Sequence, residues 1–372
     1  MHRLSVSEKA AKEQMTTRFL PLFELTRGKI VESVHFGAIA VVDSSGKLLY
    51  SCGDPETVVF LRSSAKPFQA LPFFERAGPE HFGLTQKEQA LICASHEGSD
   101  EHVRTAESLQ AKAGIREQDL QCGVHMPGDA TAYKALIADG LAPTPNRNNC
   151  SGKHSGMLAH AKMRNLPLDN YLDVEHPIQQ DILAAFAEMC SYPKEKVELG
   201  IDGCSAPNFA APLYNSALAF ARLCDPRDLG ETRGKACRAI TSAMTTYPQM
   251  ISGQNEFDGR LMQAGKGNIV CKRGAEGFQA IGLMPGVLGP GSPGLGITFK
   301  VSDGDILFRT LQIEPLNRVR PAVTVEILRQ IGALSAAQLK ELADFGPTLP
   351  IKNHRGTVVG ESRPVFKLQK AG

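Results

Sequence analysis

The chain has 372 residues, 42% of them hydrophobic, and its 41 Lys+Arg nearly balance 39 Asp+Glu for a net charge of +2. That is ample material for a core in one large domain or two smaller ones, and the balance excludes the basic excess of a dedicated nucleic-acid surface. No stretch approaches the roughly 18–20 uninterrupted apolar residues needed to span a bilayer, which excludes a membrane-spanning helix.

Residues 1–20 are polar and lack the apolar core of a secretory signal. They read as a lead-in, frayed or packed, to a single domain over 21–372. Nine cysteines, odd in number and scattered, do not form a disulfide framework. They fit a reducing cytoplasm, where thiols serve as small apolar groups or as reagents. Trp is absent and Phe (17) outnumbers Tyr (6), a poor composition for a carbohydrate- or base-stacking platform.

Two β-rich runs from Ile30 onward flank the turn Asp43-Ser44-Ser45-Gly46, a hairpin signal. His35 on the first run reads as a half-buried strand histidine. The apolar segment 68–74 after Pro67 predicts a buried helix with the proline in its first turn. Residues 91–94 read as a short core strand or a helix end, and helical spacing follows over 100–115 and 132–140. The loop 142–149, rich in Pro and Asn, runs into Cys150-Ser151-Gly152-Lys153-His154. Helical patterns recur over 154–164, 178–190, 210–222 and 233–247. Strands are expected at 268–271, 278–283, 296–301 and 306–309, the last two joined by the turn Ser302-Asp303-Gly304-Asp305. A helix over 322–344 closes the core, and the tail after Pro350 is extended. Hairpins at both ends with helices between them predict α+β layering on a mainly antiparallel sheet, not a doubly wound parallel one.

Chemistry concentrates in a few short segments. Ser63-Ser64-Ala65-Lys66 is a Ser-x-x-Lys at a helix start, which places Lys66 one turn after Ser63 on the same face. A lysine in a dry pocket loses its proton readily and can take the serine proton. The spacing alone is weak, since Ser44/Lys47 and Ser191/Lys194 share it and, on spacing alone, a solvated pair at a helix start is the better reading. Cys150 to Gly156 interleaves small residues with Cys, Lys and His at a helix mouth, and Asp202-Gly203-Cys204 is a second small-residue turn. Each cysteine alone reads as a buried apolar side chain, and Cys150 and Cys204 match no common zinc-finger spacing. Ser95-His96-Glu97 ends an element, and Lys272-Arg273-Gly274-Ala275-Glu276 follows a strand.

Taken together, Arg62 to Pro67, Cys93 to His96, Asn149 to His154, Asp202 to Cys204 and Lys272 to Glu276 resemble, in order, the motifs of the rhizobial-type L-asparaginase II family, over about residues 25 to 369. The resemblance implies a fold like the serine β-lactamases and glutaminases, usually in a homodimer, and hydrolysis of L-asparagine to L-aspartate and ammonia. It implies two Ser–Lys pairs, Ser63 with Lys66 and Ser95 with Lys272, the latter preferred over Lys266 because Gly-Ala-Glu follows it. It implies Zn2+ on Cys150, Lys153 and Cys204, and pocket residues at Arg62, Asp202 and His154. Zinc can enforce the neutral lysine that ligation needs, and three protein ligands leave a position for water, as in catalytic zinc sites. A β-lactamase-like acyl transferase is disfavoured because Ser-Asp-Asn and Lys-Thr-Gly are both missing. A glutaminase stays open because one methylene is worth only about 1–3 kcal/mol of discrimination. A silent zinc- or amino-acid-binding protein is disfavoured by the presence of both serines and both lysines.

Overall fold

A computed structural model describes residues 18–305 and 319–372. The chain enters through β1 (Leu20–Arg27), β2 (Ile30–Asp43) and β3 (Leu48–Cys52). The turn between β2 and β3 is fixed by the Asp43 carboxylate, whose Oδ1 accepts the Ser45 and Lys47 backbone N–H groups. A short β4 (Val58–Phe60) leads through a 3-10 turn at Arg62–Ala65 into α1 (Lys66–Glu75). Next come α2 (Gln86–Ile92), α3 (Asp100–Ala113), α4 (Ala130–Ala138), α5 (Ser151–Met163) and α6 (Pro177–Met189). The strands β5 (Glu198–Ile201) and β6 (Pro207–Pro212) precede α7 (Leu213–Cys224), α8 (Glu231–Thr246) and α9 (Phe257–Gly265). The sheet resumes with β7 (Ile269–Arg273), β8 (Phe278–Leu283) and β9 (Leu295–Val301), followed by α10 (Val319–Gln330), α11 (Ala336–Glu341), β10 (Leu349–Lys352), β11 (Val358–Pro364) and β12 (Gln369–Lys370).

The main sheet runs β10-β11-β1-β2-β9-β8-β7, with β3 paired to β2 and to β12, and every pairing is antiparallel. A separate three-stranded sheet runs β4-β6-β5. The antiparallel layering expected from the sequence is therefore the architecture, with β2 shared between both hairpins. Glycines let α7 settle on the sheet: a Cβ on Gly296 of β9 would lie 1.7 Å from the Ala217 carbonyl oxygen. The core between sheet and helices is continuous, filled by residues such as Phe68, Phe186, Phe209 and Phe220.

Several expected elements shift. The helix expected over 322–344 is two helices, because Gly332 takes a left-handed turn (φ 73°) and Ser335 with Gln338 forms a capping box that starts α11. The helix expected from 210 begins at Leu213, since Pro207–Pro212 pairs as the central strand β6. Residues 91–94 are the end of α2 and its exit, with Cys93 as the C-cap. The strand expected at 306–309 lies outside the described residues. His35 is on β2, as read, with Nδ1 2.6 Å from Asp303. All nine cysteines are unpaired and buried. Among the described residues no helix is long and apolar enough to cross a membrane.

Candidate active site

Three chain segments meet where α1, α2 and β7 come together. Lys66 opens α1, and the preceding 3-10 turn is strained at Arg62, a non-glycine residue with φ 51°. Ser64 Oγ donates to the Lys272 carbonyl at 2.6 Å and ties this turn to β7. Ser95 follows the end of α2, and its backbone N–H donates to the Ile251 carbonyl at 2.8 Å. Its side-chain oxygen lies 2.9 Å from Lys66 Nζ and 2.8 Å from Lys272 Nζ. Lys66 Nζ also donates to the carbonyls of Ala94 and of Asn149, the latter at 3.1 Å. Lys272 Nζ donates to the Arg273 carbonyl at 3.1 Å. Both lysines and Ser95 are buried, and Ser63 is half-buried.

Among the described residues no hydrogen bond joins Lys66 Nζ to the hydroxyl of Ser63, the residue with which the family resemblance pairs it. Lys66 instead shares Ser95 with Lys272. The Lys66 backbone N–H does donate to the Ser63 carbonyl, so the two residues occupy one turn.

Counting donors assigns the protons. Lys66 Nζ has three acceptors, matching the three N–H bonds of an ammonium. Burial, with the Lys66 charge behind it, holds the Lys272 amine well below lysine's ordinary range. The Ser95 oxygen accepts from both Lys66 and Lys272, and a Lys272 amine without its extra proton would offer a lone pair to the Ser95 hydroxyl. Behind β7 the buried Asp258 carboxylate accepts the Arg273 backbone N–H at 2.6 Å and the Gln279 amide at 3.2 Å, which anchors the end of the strand that carries Lys272.

Cys150 caps α5 and Lys153 lies in its first turn, close against α2, since a Cβ on Gly152 would sit 2.1 Å from the Leu91 carbonyl oxygen. Cys204 comes from the turn between β5 and β6 and lies 2.8 Å from Lys153 Nζ. A hydrogen bond from Cys204 draws the Cys150 thiol well below the usual range against the effect of burial, and the Cys204 thiol is pushed up in return. Burial works to lower the Lys153 pKa, but the sulfurs of Cys150 and Cys204 outweigh it and raise it. Among the described residues no group of three or more His, Cys, Asp or Glu is placed to hold a metal. The set Cys150, Lys153 and Cys204 contains two residues of those types and an amine. Two sulfurs and a nitrogen form a donor set that suits a borderline-soft dication.

Arg62 Nε donates to Asp202 Oδ1 at 2.7 Å, which also accepts the Gly203 backbone N–H at 2.9 Å. Burial alone would raise the Asp202 carboxyl, yet Lys153 and Arg62 hold it low. His154 is buried beside Lys153, with Nδ1 2.6 Å from the Tyr171 hydroxyl. His96 stacks on His102 (4.8 Å, 13°) and its Nε2 lies 2.9 Å from Ser151 Oγ. A cleft of about 330 Å3 nearby is lined by Glu97, His102, Asp129, Gln249 and Gln254, and neither serine nor lysine of the cluster lines it. Glu97 is pushed up to about 7 there, by burial and then by Asp129 and Glu256. Tyr171, Asp258 and Asn208, whose Oδ1 accepts the Arg62 backbone N–H at 3.1 Å, escaped the sequence reading, and no motif marks them.

The L-asparaginase II family profile matches residues 23–364. The chain belongs to the L-asparaginase II family, and that membership places it among the amide hydrolases acting on small molecules. No curated protein matches it. Among solved structures it is similar to a probable glutaminase from Bacillus subtilis complexed with 6-diazo-5-oxo-L-norleucine, at 11% identity over 80% of this chain and 84% of that one, TM-score 0.37. It is also similar to the protein Mglu, at 14% identity over 80% of this chain and 67% of that one, TM-score 0.40. Overlaps this loose transfer neither substrate nor mechanism.

Proposed function

We propose that the chain hydrolyses L-asparagine to L-aspartate and ammonia, with Ser63 as nucleophile and Lys66, Ser95 and Lys272 as one proton-handling group. The observation that carries this reading is Ser95 Oγ held between Lys66 and Lys272. Neutral Lys272 takes the Ser95 proton, Ser95 takes one from the Lys66 ammonium, and Lys66 is then free to take the Ser63 proton. The net result is a proton moved from Ser63 to Lys272, which leaves both lysines cationic, the second charge being offset by the anion that develops at Ser63 as it attacks. Ser63 Oγ then attacks the side-chain carboxamide, Lys66 returns a proton to the departing ammonia, and the same relay activates water to release L-aspartate. Ser63 is the half-buried hydroxyl of the two, which suits the group that must touch substrate.

Arg62 and Asp202, paired across two turns beside Ser63, offer opposite charges for the α-carboxylate and α-ammonium of an amino acid. Cys150, Lys153 and Cys204 would hold zinc, with Lys153 surrendering its proton on ligation. When bound there, zinc would polarise a carbonyl oxygen or lower the pKa of a water. The reading carries with it a homodimer in the cytoplasm, consistent with nine unpaired thiols.

The test is ammonia release from L-asparagine and from L-glutamine by the purified chain, with Ser63→Ala as control. Asparagine turnover that disappears in the folded variant supports the assignment. Near-normal activity in Ser63→Ala removes Ser63 as nucleophile, and a preference for glutamine replaces the substrate.

A further inference from the structure

Tyr171 is fully buried and its ring meets His154 edge-on, with centroids 5.7 Å apart at 88°. Its hydroxyl oxygen accepts the Gln121 backbone N–H at 2.9 Å and lies 2.6 Å from His154 Nδ1. A phenol has a single proton to give. With Gln121 supplying a donor to the oxygen, that proton points to His154 Nδ1, so Nδ1 carries the lone pair and the ring proton sits on Nε2. The remaining nitrogen is the unusual one. His154 Nε2 is buried and has no hydrogen-bond partner among the described residues. A buried N–H left without an acceptor is costly to keep. This one belongs to the residue after Lys153, at the helix mouth that also brings Cys150 to the site.

We propose that Tyr171 is a positioning residue, whose hydroxyl pins the His154 proton on Nε2 and so furnishes the active site with a fixed N–H donor for an oxygen of the bound amino-acid amide. The proposal rests on the amidohydrolase reading above. Gln121 is the anchor of the arrangement: its backbone N–H cannot reverse roles, so the phenol cannot turn from donor to acceptor without stranding its own proton.

Tyr171→Phe keeps the ring and removes the hydroxyl. The full chain, labelled with 15N-histidine, is followed by 1H–15N correlation spectra with and without L-aspartate, alongside steady-state kinetics. In the unmutated protein His154 should show protonated Nε2 and bare Nδ1, with the Nε2 signals moving on addition of L-aspartate. In Tyr171→Phe both tautomers should appear, and KM should rise about tenfold, as for one lost hydrogen bond, with a smaller change in kcat. His154→Gln, whose amide nitrogen replaces the Nε2 donor, should retain more activity than His154→Asn, whose amide replaces Nδ1. A protonated Nδ1 in the unmutated protein, or an unchanged KM in folded Tyr171→Phe, overturns the proposal. Failure of Tyr171→Phe to fold leaves the decision to the His154 pair, where equal losses overturn it. A Nε2 signal indifferent to L-aspartate assigns the donor to a buried water and overturns the substrate contact. Absence of amide turnover in the unmutated protein sinks the reaction reading by itself, and the spectra still judge the tautomer lock.

Discussion

Lys272→Met separates the cost of burying an amine from its use. Lys272 is fully buried on β7, and burial together with the Lys66 charge lowers its pKa well below the usual value. In the unfolded chain a lysine titrates near 10.4. Between the folded and unfolded pKa values the unfolded chain therefore binds the extra proton, so the stability of the unmutated protein falls as pH falls through that window, by about 1.4 kcal/mol per pH unit. Below the folded pKa both states are protonated and the slope ends. Methionine fills a similar volume and carries no proton, so the variant lacks this slope. Relative to the unmutated protein it should gain stability by about that amount for each unit that pH is lowered from about 10. Activity should move the other way: loss of a positioned base costs about 10²–10⁴ in rate, and the acid limb of kcat/KM set by Lys272 should vanish from any residual activity. Urea unfolding and asparagine hydrolysis across the same pH series measure both effects. Parallel stability–pH curves for the two proteins would refute a neutral Lys272, and with it the proton assignment at Ser95.

Two further substitutions address the metal and the packing beneath it. Cys204→Ser removes the sulfur that lies 2.8 Å from Lys153 Nζ; the zinc content of purified protein, read by elemental analysis, should drop, and an unchanged content removes Cys204 from the site. Gly152→Ala places a Cβ 2.1 Å from the Leu91 carbonyl oxygen, a backbone atom that cannot turn aside. The start of α5 must shift, costing about 3 kcal/mol at the upper end of the overpacking range, and zinc retention should fall with the urea midpoint. A midpoint equal to that of the unmutated protein would show that α5 is not pressed against the end of α2.

The fold was most legible where a turn residue acts on its own neighbours. Asp43 closes the β2–β3 turn with hydrogen bonds to residues 45 and 47, which is local chemistry that the sequence displays. The strand over 278–283 was readable because it is an apolar run broken only by Gln279, buried along its full length. By contrast β4 and β5 are short edge strands with mixed exposure, defined only by pairing to β6. Strand β1 contains Pro21 and irregular pairing with β2, which masks its alternation. The break between α10 and α11 was written in Gly332 and in the Ser335…Gln338 box, but the apolar spacing runs across both and outweighed those stop and start signals.

For the site, the short motifs located residues but not their partners. Ser63 and Lys66 suggested a pair because three-residue spacing is visible in one dimension. The side chain of Lys66, however, points to whichever acceptors the tertiary fold brings, and these are Ala94, Ser95 and Asn149. Ser95 is set there by the Ile251 carbonyl and Lys272 by the Ser64 hydroxyl, contacts that span over 150 residues and leave no local trace. Tyr171 is the extreme case: a lone aromatic in an unremarkable stretch, significant only because its hydroxyl meets a histidine from one segment and a backbone N–H from another. A lysine next to a lysine is also invisible as chemistry in sequence. Their shared contact with one buried oxygen sets two like charges against each other, and burial with the Lys66 charge lowers the Lys272 amine, the direction that suits a base.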